Sequence, residues 1–423
     1  MSLVKVKGTY DVLPEESPKW QALETYVKKV FKKFNYQEIR TPIMEYSNVF
    51  HREDENSDMV TKETYNFLDK SDRSLTLRPE GTAGVVRSYI ENKIYASKDL
   101  AKLWYMGPNF RYERPQKGRY RQFSQFGVEV IGAMDPYLDA EVIALAYDII
   151  KGLGLKGVSV KINSLGDKKS KENYMNVLKA FLEPKKDLLS EDSKARLDKN
   201  PLRILDSKDP QDKALLVDAP LPLDHLTDDA KLNFEKIKEA LDLAEVKYSV
   251  DKRLVRGLDY YSYVVFEIQA DIEGFGSQNA LGGGGRYNEL VESLGGPSKP
   301  GVGFAFGMER LLGALDLEGI NLVPDNLLDV YFITFDEASR KEAFRLQNLL
   351  RSENFSVELN YTGKAFKGQL KEALYNKAKY LLILGESELA MGKINLKNTE
   401  TEEQIQIDIK DITAILKEKL HHV

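Results

Sequence analysis

Cysteine is absent from this 423-residue chain, and histidine occurs only four times. Without a thiol there is no disulfide, no thiolate nucleophile and no zinc site built on sulfur. His51, His225, His421 and His422 are scattered or terminal, which points away from a histidine-ligated metal and from a Ser-His-Asp triad. No apolar run approaches the roughly 20 residues that span a bilayer, and no basic-then-apolar leader opens the chain. A cytoplasmic protein is therefore expected. Charge of one sign is missing too, with 61 Lys and Arg against 66 Asp and Glu. A net charge of -5 argues against non-specific coating of nucleic acid but leaves room for a local basic patch.

What is present is an ordinary soluble composition, 42% hydrophobic and 30% charged, in a chain too long for one compact core. Two or three domains are expected. The organising stretch is 110–129, where two extended runs flank a turn-rich basic middle carrying Arg114, Lys117, Arg119 and Arg121. This predicts a hairpin with a long loop. Alternation along a strand puts Arg111, Glu113, Gln125 and Glu129 on one face and Phe126, Val128 and Val130 on the other. A face so polar is either exposed to solvent or the floor of a polar pocket.

Ser17 followed by Pro18 reads as a helix cap, and Trp20, Leu23, Val27, Val30, Phe31 and Phe34 recur at helical spacing up to a left-handed stop at Asn35. The segment 38–42 is extended because it runs into Pro42. Residues 75–82 alternate like a strand until Pro79 and Gly81 break it, presenting Glu80 and Thr82 at a strand end. A helix is expected over 139–155 and a strand over 158–163. The lysine- and aspartate-rich stretch from 166 to about 244 reads as an inserted helical module.

Strand texture returns over 248–254, 256–261 and 264–269. Gly282 to Gly285 then allow either close backbone approach to a ligand or a flexible turn. Val302, Phe304 and Phe306 form a strand leading into a helix whose first turn holds Arg310. A cation there opposes the helix dipole, so its partner is either Glu309 or a phosphate. After a linker at 318–326, β and α segments alternate as in a small α/β domain. In its helix from about 365, Phe366, Leu370 and Leu374 form one stripe, and Lys364, Lys367 and Lys371 another that is solvated or faces RNA.

Taken together, these motifs resemble the bacterial histidyl-tRNA synthetases, a family of class II aminoacyl-tRNA synthetases. Segments 33–42, 110–129 and 301–310 are similar to the family's motifs 1, 2 and 3, and 254–261 with 283–287 to its two histidine-specific motifs. The resemblance implies an α+β fold, an antiparallel class II sheet flanked by helices, with a helical insertion and a C-terminal α/β anticodon-binding domain. The catalytic domain would comprise 1–165 and 246–325, the insertion 166–245 and the anticodon-binding domain 326–423. It further implies a homodimer, with L-histidine, ATP accompanied by Mg2+, and tRNA(His) as partners.

The same resemblance assigns roles residue by residue. Arg111 and Glu113 match ATP-binding positions, Arg310 the arginine at the distal phosphates and Arg256 an arginine near the reacting phosphate. Glu80, Thr82 and Gln125 match positions holding the amino group of histidine, with Gly81 in the same stretch. Glu129 and Tyr261 match the imidazole-binding pair, and Tyr260 and Tyr287 line the pocket. Arg114, Gln116 and Arg119 match the loop that reaches the acceptor end of the tRNA. No protein-ligated metal is expected. The alternative is a catalytically silent relative that binds histidine as a regulatory subunit of ATP phosphoribosyltransferase. The presence of Arg256, Arg310 and the C-terminal segment weighs against it.

Overall fold

The computed structural model describes residues 3–52, 58–114, 118–207, 209–276, 279–323 and 328–420. Gln116, Lys117, His421 and His422 lie outside these residues. The chain divides into two compact units, Met1–Leu322 and Val323–Val423.

The first unit is built on an eight-stranded sheet. Its central strands are Ala101–Phe110, Gln122–Ile131, Gly301–Gly307, Ala280–Tyr287, Ser262–Ala270 and Val158–Ser164, each antiparallel to the next. Short strands Gln37–Glu38 and Tyr248–Val250 close the edges in parallel. One face buries Trp104, Phe126, Val128, Phe266 and Phe306 among residues of helices Ser17–Lys33, Pro136–Gly152 and Met308–Leu317. Each such side chain contributes on the order of 2 kcal/mol when withdrawn from water. On the opposite face Leu103 and Tyr105 pack with Val85, Val86 and Tyr89 of helix Thr82–Glu91. That face carries the polar residues, so the sheet presents them between itself and a covering helix.

Asn35 adopts the expected left-handed conformation, φ 61°. The segment 256–261, expected to be strand-like, is instead irregular up to Ser262. Its carbonyls are taken by side chains rather than by a neighbouring strand: Lys171 Nζ donates to Asp259 and Tyr261, and Asn163 to Leu254 just before it. The glycines at 282–285, left open between a turn and a close approach, are the middle of a strand in register with 303–306. The helical stretch after 166 divides by packing. Tyr174, Leu178, Leu197 and Ile204 form a core of their own, whereas Phe234, Ile237 and Leu241 of helix Asp228–Leu243 join the main core.

In the second unit, strands Val357–Leu359, Leu328–Thr334 and Ala378–Leu384 are parallel, and Lys393–Asn398 and Gln404–Asp408 continue the sheet antiparallel. Helix Phe366–Tyr375 buries only part of the stripe its sequence suggested: Leu370 packs against Tyr331, Ile333 and Leu381. Phe366 and Leu374 are exposed, and Gln369 and Ala373 face inward. The reason is polar: Gln369 exchanges hydrogen bonds with both the N–H and the carbonyl of Thr334, at 3.1 and 2.8 Å, tying the helix to the sheet.

Candidate active site

Glu129 lies in the middle of strand Gln122–Ile131 and is 1% exposed. The polar face is thus a pocket floor, not a solvated surface. Thr82 Oγ1 donates to Glu129 Oε1 at 2.6 Å and Tyr287 OH to Oε2 at 2.6 Å, with Tyr105 OH 3.4 Å from Oε1. Burial nevertheless pushes the carboxyl up to about 8, because these hydrogen bonds only partly replace lost hydration and Glu80 adds repulsion. A ligand that donates to this acid would offset the cost. Tyr260 and Tyr261 lie beside it with ring centres 4.9 Å apart and planes tilted by 52°, and the Tyr260 ring is 5.8 Å from that of Tyr287. The hydroxyl of Tyr260 is buried without a partner, and burial pushes Tyr261 up to about 12.

The entry to helix Thr82–Glu91 supplies the next wall. Glu80 accepts from the N–H groups of Thr82 at 2.5 Å and Ala83 at 2.8 Å, so its carboxylate caps the first turn. Gly81 has no Cβ because the ring of Tyr105 occupies that space. Gln125 Oε1 accepts from Asn109 Nδ2 at 2.7 Å. Glu80, Thr82, Gln125, Glu129, Tyr261 and Tyr287 therefore line one small cavity of about 70 Å³.

A second cavity of about 200 Å³ adjoins it. Arg111, Arg119, Arg256 and Arg310 line it together with Glu113, Phe123 and Glu309. Arg111 Nε donates to the carbonyl of Pro79 at 2.9 Å, and its guanidinium lies 5.2 Å from the Phe123 ring centre. Arg119 pairs with Glu113 at 2.9 Å. Arg256 pairs with Glu267 at 2.5 Å while its Nε is buried without a partner. Arg310 donates to the carbonyls of Gly118 and Ala280. Glu309 is engaged elsewhere, accepting from Tyr10 OH and Ser124 N–H at 2.8 Å each. Burial lowers the guanidinium pKa of Arg310, and the positive charges of Arg119 and Arg111 add to the effect. A pocket that gathers four guanidinium groups is suited to phosphates.

Arg111, Gln125, Arg256 and Ala305 line both cavities. Of the residues that the resemblance assigned to the site, only Arg114, exposed at the end of its segment, and Gln116, outside the described residues, are not brought into this pair of cavities. Tyr105 and Phe123 line these cavities, and Asn109 and Glu267 lie behind them holding Gln125 and Arg256, although their sequence context did not single them out. Tyr105 and Asn109 share the odd-numbered face with Arg111, a parity that was readable. A larger groove of about 780 Å³ elsewhere shares Tyr260 but none of the four pocket arginines, so the chemistry resides in the smaller pair.

An antiparallel sheet bearing an arginine-walled cavity beside an acid-and-phenol slot is the catalytic architecture of a class II aminoacyl-tRNA synthetase. Residues 8–311 match the family described as histidyl-tRNA synthetase, and residues 329–419 match the anticodon binding domain. The histidine–tRNA ligase of Acholeplasma laidlawii (strain PG-8A) is 62% identical, the alignment covering 99% of this chain and 100% of the relative. That of Halothermothrix orenii is 49% identical over 97% of this chain and 98% of the relative. The crystal structure of apo S. aureus histidyl-tRNA synthetase is 40% identical with a TM-score of 0.84, covering 98% of this chain and 100% of that one. The chain belongs to the histidyl-tRNA synthetase family. An ATP phosphoribosyltransferase regulatory subunit/histidyl-tRNA synthetase from Bacillus halodurans C, 23% identical with a TM-score of 0.66 over 91% of this chain and 99% of that one, shares the fold.

Proposed function

We propose that this chain is a histidine–tRNA ligase that joins L-histidine to ATP as histidyl-adenylate, releasing pyrophosphate, and then passes the histidyl group to the 3′ end of tRNA(His). In the first step a carboxylate oxygen of histidine attacks the α-phosphorus, and the bond to the pyrophosphate oxygen breaks. In the second, a ribose hydroxyl at the tRNA's 3′ end attacks the activated carbonyl and AMP leaves. The carboxylate is already ionised at neutral pH, so positioning and charge stabilisation replace a general base.

Arg111 and Arg256 hold the α-phosphate in this reading, Arg310 the distal phosphates, and Glu113 the nucleotide side of the pocket. Glu129 and Tyr261 receive the imidazole, lined by Tyr260 and Tyr287, while Glu80, Thr82 and Gln125 receive the ammonium beside Gly81. Such a slot rejects apolar isosteres because they leave buried polar groups unpaired, an argument the synthetases themselves exemplify. The segment carrying Arg114, Gln116 and Arg119 is assigned to the tRNA acceptor end in this reading. Among the described residues no three His, Asp or Glu side chains form a ready cation cage. Mg2+ would be carried on the ATP phosphates with its waters, beside Glu113 in the arginine-lined cavity. The ion would neutralise phosphate charge.

The sharing of Arg111, Gln125, Arg256 and Ala305 between the two cavities carries this reading, since the carboxylate and the α-phosphate must meet there. ATP–pyrophosphate exchange with each of the twenty amino acids tests it. Histidine alone should support exchange; histidine binding without any exchange would instead fit the regulatory paralogue, which Arg256, Arg310 and the anticodon-binding segment disfavour.

We also propose a homodimer, with the contact beside motif 1. Ile43, Met44, Tyr46 and Leu68 are exposed on and beside the three-stranded sheet formed by Met44–Tyr46, Ser74–Leu77 and Tyr65–Leu68, an apolar set that a partner would cover. No helix among the described residues is long and apolar enough to cross a membrane. We place the activity in the cytoplasm, with its tRNA.

A further inference from the structure

The side-chain amide of Gln125 has two ends of opposite character: its oxygen accepts a hydrogen bond and its nitrogen donates. The end facing the slot decides what the slot recognises, because an oxygen attracts an ammonium group and an N–H repels it. In the structure Asn109 Nδ2 donates to Gln125 Oε1 at 2.7 Å. The accepting end is thereby engaged, and the N–H end is the one left for the cavities that Gln125 lines. Asn109 is itself 1% exposed. It lies on the adjacent strand, where its neighbour in register is Phe123, two residues from Gln125.

The other end of Asn109 supplies the second observation. Its Oδ1 is buried and has no hydrogen-bond partner. Nothing anchors the Asn109 amide in its present sense from that end, so reversing it breaks only the bond to Gln125. Half a turn of both amides re-forms that bond with the roles exchanged. Gln125 Nε2 then donates to Asn109 Oδ1, and Gln125 Oε1 faces the slot.

We propose that Asn109 is a positioning residue that selects which end of Gln125 meets the substrate, and that the pair turns over as the α-ammonium of histidine enters. The inference rests on the reading of Gln125 as an ammonium contact. Asn109 touches neither cavity, so it acts only through its neighbour. An aspartate at 109 can accept from Gln125 Nε2 and holds the binding sense; a leucine fills similar volume and selects nothing.

The test compares Asn109→Asp and Asn109→Leu in full-length enzyme by histidine-dependent pyrophosphate exchange. Two inhibitors separate the substrate's ends: histidinol, which keeps the ammonium, and imidazolepropionate, which keeps the carboxylate. Asn109→Leu is expected to raise KM for histidine and Ki for histidinol about tenfold, with kcat within about twofold. KM for ATP and Ki for imidazolepropionate should not move, and Asn109→Asp should stay near wild type. Asn109→Ser makes the same comparison if the leucine variant does not fold. An unchanged KM for histidine overturns the proposal. So does a parallel rise in all four constants with Asn109→Asp equally impaired, which marks a purely structural residue. If the wild type shows no histidine-dependent exchange, the reading of the site itself fails, which is a separate outcome.

Discussion

Gly303 stands directly opposite Glu129 in the neighbouring strand, and the carboxylate of Glu129 occupies the space that a Cβ on Gly303 would need. The buried acid can therefore lie along the sheet and receive Thr82 and Tyr287 at once. Gly303→Ala would drive a Cβ into both that carboxylate and the backbone carbonyl of Val128, so the strand pair must shift as the carboxylate is displaced from its donors. The expected result is a lower melting temperature together with a rise in KM for histidine of about 10- to 100-fold, the equivalent of about 1–3 kcal/mol of unpaired buried groups, and a smaller rise in KM for ATP. Steady-state exchange kinetics against each substrate check it; equal changes in both constants would point to general damage.

The titration of Glu129 gives a pH prediction with a definite sign. Its folded value, about 8, lies above its ordinary value of 4.5 because of burial. Above 4.5 the unfolded chain has released a proton that the folded chain still holds, so this group's contribution to stability is lost as pH rises from 4.5 towards 8 and is gone beyond it. Glu129→Gln removes that titration. Melting curves without substrate should bring wild type and variant closest near about pH 5, with the variant gaining relative to wild type towards about pH 8.5. A constant difference across that range would contradict the assignment.

Not every buried arginine here belongs to the chemistry. Arg286 and Asp139 are both fully buried and joined by a forked pair at 2.5 to 3.0 Å, with the carbonyl of Ala133 taking a further guanidinium N–H at 3.1 Å. Arg286→Met leaves Asp139 unpaired in the core and should cost about 3–5 kcal/mol of stability. Arg111→Ala and Arg256→Ala, by contrast, should melt near wild type while lowering exchange about 10²-fold. Denaturation and exchange measured on the same three variants separate the two kinds of arginine.

In the second unit Phe335 and Phe366 are exposed and stacked, with ring centres 5.7 Å apart and planes 12° from parallel. Exposed aromatic faces beside Lys364 and Lys367 suit unpaired RNA bases. Phe366→Ala is expected to raise KM for tRNA about tenfold, corresponding to about 1–3 kcal/mol of stacking, and to leave exchange unchanged. Deleting the residues after Asp325 should act in the same direction and further. Aminoacylation and exchange run in parallel decide; equal losses in both assays contradict an RNA-facing role.

Much of this was legible before any coordinates, for a physical reason. Alternation along strand Gln122–Ile131 sorts Phe126, Val128 and Val130 from Gln125 and Glu129, and the sheet obeys it. What escaped depends on groups far apart in the chain. The helix beginning at Thr82 was hidden because its cap is Glu80, a carboxylate two residues earlier in what reads as a Pro-Gly turn. Tyr105 sits in an apolar run, and nothing local to it signals that its hydroxyl approaches an acid 24 residues on. Phe366 and Leu374 look like a core stripe, yet a single buried glutamine decides which side of that helix faces the sheet.

The most direct test asks whether the arginine cavity and the acid slot are one site. A non-hydrolysable histidyl-adenylate analogue, titrated calorimetrically alongside AMP and histidinol, spans both. Binding at least about 100-fold tighter than either fragment, and weakened by both Arg256→Ala and Glu129→Gln, is expected when one molecule fills two adjoining pockets. An affinity no better than that of the tighter fragment, or loss in only one of the two variants, would mean that the cavities bind independently.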